Sequence, residues 1–243
     1  MARTFVRNSS AKVSTTTPVT GYPFTLSMWG RCTNVTNDQA AFGIYDTDGG
    51  QYYVLWFRGA TGDVVSASTG LTTFADSSAS YTNGQWHHVA GVFSSATSRT
   101  VYLDGGNSGT NTTSNTQAAC ERVVFATTNG FGASNGFDGS IANAGIYNVA
   151  LTAGQIISLA SGAPCPAVRP DALVAWYPFK SESPDVDWWG QHNLTTGTGT
   201  PTYSQHPPII YPSGTRVFIP AGSGGIPNKT ITKLQAVCTA AFW

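Results

Sequence analysis

The chain has 243 residues, with 12 Lys and Arg against 12 Asp and Glu, and only 10% of its residues are charged. Soluble domains typically have about 25% charged residues. Zero net charge excludes a typical duplex-binding protein, which needs an excess of Lys and Arg to neutralise phosphates. The 41% hydrophobic and 12% aromatic shares are enough for a core and exclude charge-driven disorder. The length suits one large all-β domain or one domain with an appendage.

Short runs of β-branched and aromatic residues alternate with turn signals in the first 160 residues. One run places Phe24, Leu26 and Met28 on a single face, which is the period of a half-buried strand. Turn-forming pairs such as Asp104-Gly105 separate these runs. Many short strands at this spacing predict an all-β sandwich.

The later part of the chain differs in composition. Residues 151–160 are predicted as a short helix capped by Thr152. The Pro-rich stretch 164–170 is predicted to be extended, and residues 173–179 are predicted as a strand. The C-terminal tail has an apolar end, which should dock on its own domain or on a neighbour.

The export and membrane signals that a surface protein often carries are absent from this sequence. The first five residues lead into strand-like sequence and not into a charged and then apolar signal segment. No apolar run approaches the roughly 20 residues that span a bilayer. We therefore expect no Sec signal and no membrane span.

The cysteines are scattered along the chain, at Cys32, Cys120, Cys165 and Cys238. No pair has the C-x-x-C or metal-ligand spacing. We predict buried or half-buried free thiols, because Cys behaves as a small hydrophobic residue. A Cys165–Cys238 disulfide stays an alternative for an oxidising compartment.

Two stretches carry a family resemblance. Residues 83–93 contain Trp-His-His-Val and are followed, within residues 99–105, by Tyr-Leu-Asp-Gly. Residues 137–152 read Phe-Asp-Gly-Ser-Ile and then Ile-Tyr-Asn-Val-Ala-Leu-Thr. These motifs resemble the W-H-H-V…Y-x-D-G hairpin and the closing strand and helix of laminin-G-like, concanavalin A-like jelly-roll domains. The resemblance covers most of residues 1–162 and implies a jelly-roll β-sandwich with a C-terminal extension.

A third stretch, residues 173–195, resembles the segment that opens many laminin-G-like modules, but here it follows the closing motif. It is either a truncated second module or an added strand and wrap; we favour the wrap, because some fifty residues are too few for a second sandwich. We divide the chain into the sandwich (1–163), a Pro-rich connection with the extra strand and wrap (164–212), and an attachment or interaction tail (213–243). This layout resembles laminin-G-like proteins encoded by tailed bacteriophages and prophages.

The sequence offers no catalytic residues. Glycosidases use paired carboxylates, and those of the resembled family carry a Glu-x-Asp-x-x-Glu strand. This chain has only Glu121 and Glu182, and neither has an acidic residue two positions away. The pair His87-His88 would point to opposite faces of a strand and could not hold one ion together. We predict that the protein is not an enzyme.

Two kinds of binding residue remain as candidates. Related sandwiches often bind Ca²⁺ through loop carboxylates and carbonyls, which makes Asp46, Asp48 and Asp138 the candidate ligands, although Asp and Gly are equally typical of a hairpin turn. No other cofactor is predicted. Trp188 and Trp189 are predicted in a polar loop, where they either stack on a sugar or pack in the core or an interface.

These observations predict a non-enzymatic bacteriophage virion structural protein that displays a lectin-like domain as a head-decoration or fibre-type component. The expectation combines the absent export signal with a fold normally used outside cells. Its partners would be other virion proteins or copies of itself, held through the C-terminal segment. The alternative is a glycan-binding adhesin or carbohydrate-binding module for a host surface polysaccharide, with an extracellular or cell-surface location. Neither function involves nucleic acid.

Overall fold

The computed structural model describes residues 2–7, 11–46, 52–115, 120–127, 135–179, 185–199 and 202–210. The strands are β1 (Ala2–Phe5), β2 (Ala11–Ser14), β3 (Phe24–Cys32), β4 (Asp38–Tyr45), β5 (Tyr52–Arg58), β6 (Val64–Thr69), β7 (Thr73–Ser80), β8 (His87–Ser95), β9 (Ser98–Leu103), β10 (Gly106–Asn111), β11 (Arg122–Phe125), β12 (Gly139–Tyr147), β13 (Leu173–Tyr177), β14 (Leu194–Thr198) and β15 (Thr202–Ser204). The helix is α1 (Ala153–Ala160), and 3₁₀ turns lie at Gly59–Thr61 and Cys165–Ala167. In these ranges no helix combines the length and hydrophobicity that a bilayer crossing requires.

The strands form two antiparallel sheets, which confirms the predicted all-β sandwich. One sheet has eight strands in the order β10-β9-β8-β3-β12-β1-β15, with β13 also paired to β12. The other has seven strands in the order β14-β2-β11-β4-β5-β6-β7. Most neighbours are distant in sequence, so the sheets depend on long-range pairing.

Strand β12 is the meeting point of the N-terminal and C-terminal parts of the chain. One edge pairs with β3, and the other edge is shared by two strands lying end to end. Strand β1 pairs with the first part of β12, from Gly139 to Ile141, and β13 pairs with its last part, from Ala144 to Tyr147. One edge of β12 therefore pairs with the N-terminal strand and with a strand from the segment that follows the helix.

The strands that follow residue 163 belong to both sheets. Strand β14 extends the seven-stranded sheet beside β2, and β15 extends the eight-stranded sheet beside β1. The division of the chain at residues 163 and 212 stays a prediction, and residues 213–243 lie outside the described residues. The expectation that residues 164–170 are extended is wrong at Cys165–Ala167, which form a 3₁₀ turn with Ala167 N donating to Pro164 O at 2.8 Å. A proline in the first positions of such a turn costs no hydrogen bond.

The main hydrophobic core lies between the two sheets. Phe24, Leu26 and Met28 all point into it, as the alternating pattern predicts. At one side the sheet edges approach closely: a Cβ added at Gly109 of β10 would lie 1.8 Å from the Asp76 carbonyl oxygen of β7. Only glycine permits that contact, which closes this side of the sandwich.

A second apolar cluster covers the outer face of the eight-stranded sheet. Helix α1 is predicted correctly: Thr152 is its N-cap and forms a capping box with Gln155, whose backbone N–H donates to Thr152 Oγ1. Ile156 and Leu159 turn inward and pack with Ala90 and other residues of the sheet. The residues that follow the helix, among them Cys165 and Val168, belong to the same cluster and lie on the same outer face of the sheet.

Candidate functional site

Trp188 and Trp189 lie in residues 185–193, here called the tryptophan loop, which connects β13 of the eight-stranded sheet to β14 of the seven-stranded sheet. The loop therefore crosses the edge of the sandwich. Both indoles are half-buried. The Trp188 ring packs edge-to-face on Trp176 of β13, with ring centroids 6.0 Å apart, and Trp189 packs against the apolar cluster beneath α1.

Asp187 holds this loop in shape. Its side chain is buried at 4% exposure, and its carboxylate accepts four backbone hydrogen bonds. Oδ1 accepts from Trp176 N at 2.8 Å and from Trp189 N at 2.9 Å. Oδ2 accepts from Gly190 N at 3.1 Å and from His192 N at 3.0 Å. Because a buried carboxylate needs such donors, these bonds fix the backbone on both sides of the tryptophans.

Asp185 anchors the start of the same loop to the first two strands of the chain. Its carboxylate forms ion pairs with Arg3 of β1 and with Lys12 of β2, the latter at 3.3 Å. Arg3 is almost fully buried. The two acidic residues of the loop therefore differ in role: Asp187 accepts hydrogen bonds from the loop backbone, whereas Asp185 forms ion pairs with the first two strands.

Trp176 has its own fixed position beneath Trp188. Its indole Nε1 donates to Asn143 Oδ1 at 2.8 Å. Asn143 is buried where the pairing of β12 with β3 shifts register, between Ala142 and Gly145, and its φ is 47°, a conformation that asparagine tolerates better than most residues. The tryptophan loop is thus an ordered aromatic surface with half-buried rings. Such rings can stack on a sugar or on a partner protein; which of the two Trp188 and Trp189 do stays a prediction.

Two of the candidate Ca²⁺ ligands, Asp46 and Asp138, lie far apart in the structure. Asp46 directly follows the last residue of β4, whereas Asp138 lies beside the start of that strand, where its backbone N donates to Gln39 Oε1 at 2.7 Å. Seven strand residues separate these points by roughly 20 Å, so one ion cannot contact both carboxylates. Asp48 lies outside the described residues. In the described ranges no three His, Cys, Asp or Glu side chains form a group that could hold a metal ion.

His87 and His88 have separate environments, as their adjacent strand positions predict. His87 is half-buried, and its Nδ1 lies 2.7 Å from Asp104 Oδ2. Burial raises the pKa of Asp104, but the hydrogen bonds from His87 and from the His88 backbone outweigh it, so the net pKa is lowered. His88 is fully buried beside Ser27, and this burial lowers its pKa to about 4.

The three cysteines in the described residues are buried and form no disulfide there. Burial raises the pKa of both Cys120 and Cys165 to about 12, which disfavours the reactive thiolate. The Cys165 thiol donates to Asn143 O at 3.3 Å. Cys238, the other half of the alternative disulfide, lies outside the described residues.

Two antiparallel sheets packed face to face around the main hydrophobic core form a jelly-roll β-sandwich. Residues 6–157 match the model of the Concanavalin A-like lectin/glucanases superfamily, in its laminin-G-like branch, and the chain belongs to that family. No curated protein matches the sequence.

Several solved structures share the fold. A structure described as a putative carbohydrate binding protein from Bacteroides ovatus is 17% identical with a TM-score of 0.58; the match covers 86% of this chain and 61% of that one. A heptameric SAP-like pentraxin from Limulus polyphemus is 17% identical with a TM-score of 0.47 and coverages of 65% and 81%. The CBM40 of a Ruminococcus gnavus sialidase, bound to sialyllactose, is 12% identical with a TM-score of 0.49 and coverages of 59% and 84%. This chain thus spans less than two thirds of the Bacteroides protein.

Proposed function

We propose that the protein is a non-enzymatic glycan-binding protein whose tryptophan loop contacts the sugar. The observation that carries this proposal is the Asp187 carboxylate, which fixes the loop through four backbone N–H groups. Sugars bind aromatic rings that are held in place before binding, because little conformational freedom is then lost. The Bacteroides protein of similar fold is described as a putative carbohydrate binding protein, which supports this proposal.

The ion pairs and hydrogen bonds of the carboxylates support sugar binding over catalysis. Glycoside hydrolysis needs two carboxyl groups that face one sugar. Asp38 and Asp76 pair with Arg58, and Asp185 pairs with Arg3 and Lys12. Asp187 is buried with its four donors. Each of these carboxylates already has a structural partner, so we propose a protein without hydrolytic activity.

Replacement of Trp188 tests the proposal. On a glycan array, with and without Ca²⁺, the full chain should bind a polysaccharide, and Trp188→Ala should weaken that binding about tenfold through loss of aromatic contact. Leu71→Ala is the matched control, because Leu71 is a 61% exposed apolar residue in a turn elsewhere. Asp48→Ala tests the Ca²⁺ prediction in the same assay. If no glycan binds the folded chain, the proposed function is wrong.

We further propose that this binding protein is displayed on a bacteriophage particle. The support is the order of segments: the stretch that resembles a module opening comes after the closing motif and supplies β13 to the sandwich. Residues 213–243 would then attach the domain to the particle or to another copy.

Deletion of residues 213–243 tests the attachment. The truncated protein should stay soluble and keep the thermal unfolding of the sandwich, because the strands described above all precede residue 205. It should no longer join particles when it is supplied in place of the full chain, as measured by immunoblotting of purified particles. Normal incorporation of the truncated protein would contradict the attachment role.

A further inference from the structure

The outer face of the seven-stranded sheet carries three charged side chains, here called the Asp-Arg-Asp row: Asp38 of β4, Arg58 of β5 and Asp76 of β7. Asp38 and Arg58 are register partners, so they lie on the same face. Their sequence neighbours Phe57 and Ala75 point into the main core. Because side chains alternate along a strand, Arg58 and Asp76 point away from that core.

Arg58 lies between the two carboxylates. Its Nε donates to Asp38 Oδ2 at 3.0 Å, and its Nη1 donates to Asp76 Oδ1 at 3.1 Å. Two hydroxyls extend the row at its ends. Thr61 Oγ1 donates to Asp38 Oδ2 at 3.2 Å, and Ser66 Oγ donates to Asp76 Oδ1. Acceptor and donor groups therefore alternate along the surface.

Aromatic rings hold the guanidinium of the row in position. The guanidinium carbon of Arg58 lies 4.1 Å from the centroid of the Phe74 ring, a distance at which a cation and a ring attract each other. Phe74 packs edge-to-face on Trp56, with ring centroids 6.0 Å apart, and Trp56 Nε1 donates to Ser68 Oγ at 2.7 Å. The charged groups of the row are thus held in place before a ligand binds.

The carboxylates of the row are accessible to a ligand. The Asp38 side chain is 29% exposed and the Asp76 side chain is 41% exposed, and Thr61 is exposed beside them. A carboxylate has about four acceptor positions. Among the described residues each of the two carboxylates is bonded to one guanidinium and one hydroxyl, which leaves acceptor positions for a ligand.

The row differs from the other aspartate pairs of arginine in the described chain. Arg3 is almost fully buried beside Asp185, and Arg169 pairs with a single exposed carboxylate. Within the described ranges only Arg58 joins two carboxylates and also contacts a ring. Exposed ion pairs contribute little to stability. Stability therefore does not explain two carboxylates beside one guanidinium in a chain with only 10% charged residues, whereas ligand binding does.

The chemistry of the row matches the hydroxyl groups of a neutral sugar. A sugar hydroxyl can donate to a carboxylate oxygen and can accept from Arg58 or from the Thr61 hydroxyl. Hydrogen bonds to ionised groups are about twice as strong as those between neutral groups. Because one planar guanidinium bridges the two carboxylates, neighbouring hydroxyls of one sugar can contact both. Two carboxylates against one guanidinium leave a net negative charge, which disfavours an acidic sugar.

We infer that the Asp-Arg-Asp row binds a neutral sugar through neighbouring hydroxyl groups. The inference rests on the proposed glycan-binding function for the class of ligand, but it assigns a site separate from the tryptophan loop. The row reaches β7 at one edge of the seven-stranded sheet, whereas the tryptophan loop leads into β14 at the opposite edge. The protein would then contact glycans at two places.

Titration of the full chain with single sugars, followed by NMR, tests this site. The probes are D-glucose, D-galactose and D-mannose, and at least one of them should shift the signals of the Arg58 Nε–H group and of the Thr61 amide. The matching uronic acid, in which a carboxylate replaces the CH₂OH group, should bind at least about tenfold more weakly, because its charge is repelled by the row.

Two variants and a control complete the test. Asp76→Asn should weaken binding of the neutral sugar about tenfold or more, because it replaces a charged acceptor with a neutral amide. Thr61→Val should weaken it by a smaller factor, because it removes one neutral hydroxyl. Asp171→Asn is the matched control, because it makes the same change in the exposed Arg169 pair, and it should leave binding unchanged. Thermal unfolding verifies that each variant is folded.

The outcomes separate this inference from the proposed function. Sugar-induced shifts at Arg58 that persist in Trp188→Ala and disappear in Asp76→Asn would support the row even if the tryptophan loop binds nothing. Glycan binding that is lost in Trp188→Ala but unchanged in Asp76→Asn, with no shift at Arg58, would overturn the row and keep the tryptophan loop. Uronic acids that bind as tightly as the neutral sugars would also overturn it, as would the absence of any shift at Arg58 with all three sugars.

Discussion

Asp187→Asn should destabilise the protein by about 3 kcal/mol or more, since hydrogen bonds to a buried charged group are among the strongest that a fold contains. The substitution keeps the size of the side chain but turns one carboxylate oxygen into an NH₂ group. That group would face two backbone N–H donors, either those of Trp176 and Trp189 or those of Gly190 and His192. Urea unfolding followed by tryptophan fluorescence measures the change.

Asp171→Asn is the matched control for this prediction. Asp171 pairs with Arg169 at 2.8 Å, but its side chain is 65% exposed, and exposed ion pairs contribute little. The control should therefore leave the unfolding free energy almost unchanged. A loss in Asp187→Asn as small as that in the control would show that the four hydrogen bonds do not hold the loop.

The sandwich is predictable because its signals are local. The alternation of Phe24, Leu26 and Met28 sets the face of β3, and Asp104-Gly105 forms the turn between β9 and β10 with both residues at positive φ. This conformation suits a tight two-residue hairpin turn. Strand period and turn chemistry both act over a few residues, so the sequence alone is sufficient to place them.

The added strands are predictable only in part. Residues 173–177 have the β-branched and aromatic composition of a strand, and they form β13. Strand β14 reads Leu-Thr-Thr-Gly-Thr and has no alternating pattern. The position of β14 depends on its pairing with β2, about 180 residues earlier in the chain. A pattern over a few neighbouring residues cannot reveal such long-range pairing.

The candidate site could also be predicted from the sequence only in part. Trp188 and Trp189 are conspicuous because adjacent tryptophans in a polar loop are rare, but the residue that organises them is Asp187. A carboxylate that accepts only backbone N–H groups has no partner side chain in the sequence to reveal its role.

The buried His88 should make stability depend on pH between about 6.5 and 4. In the folded protein burial lowers the pKa of His88 to about 4, whereas the unfolded chain has the ordinary value of about 6.5. The unfolded state therefore binds the proton first as the pH falls. The contribution of neutral His88 to the free energy of unfolding is fully present above pH 6.5, decreases as the pH falls towards 4 and is constant below that. The total loss is about 3 kcal/mol.

His88→Gln isolates this contribution, because Gln does not titrate and can still hydrogen-bond to Ser27. Urea unfolding of both proteins at pH 7, 5.5 and 4 should show a steeper loss for the parent chain. Burial also lowers the pKa of His192, so the variant should keep part of the slope. The lowered pKa of Asp104 affects stability only at more acidic pH. Identical slopes would contradict this prediction, because they would mean that the pKa of His88 is the same in the folded and the unfolded protein.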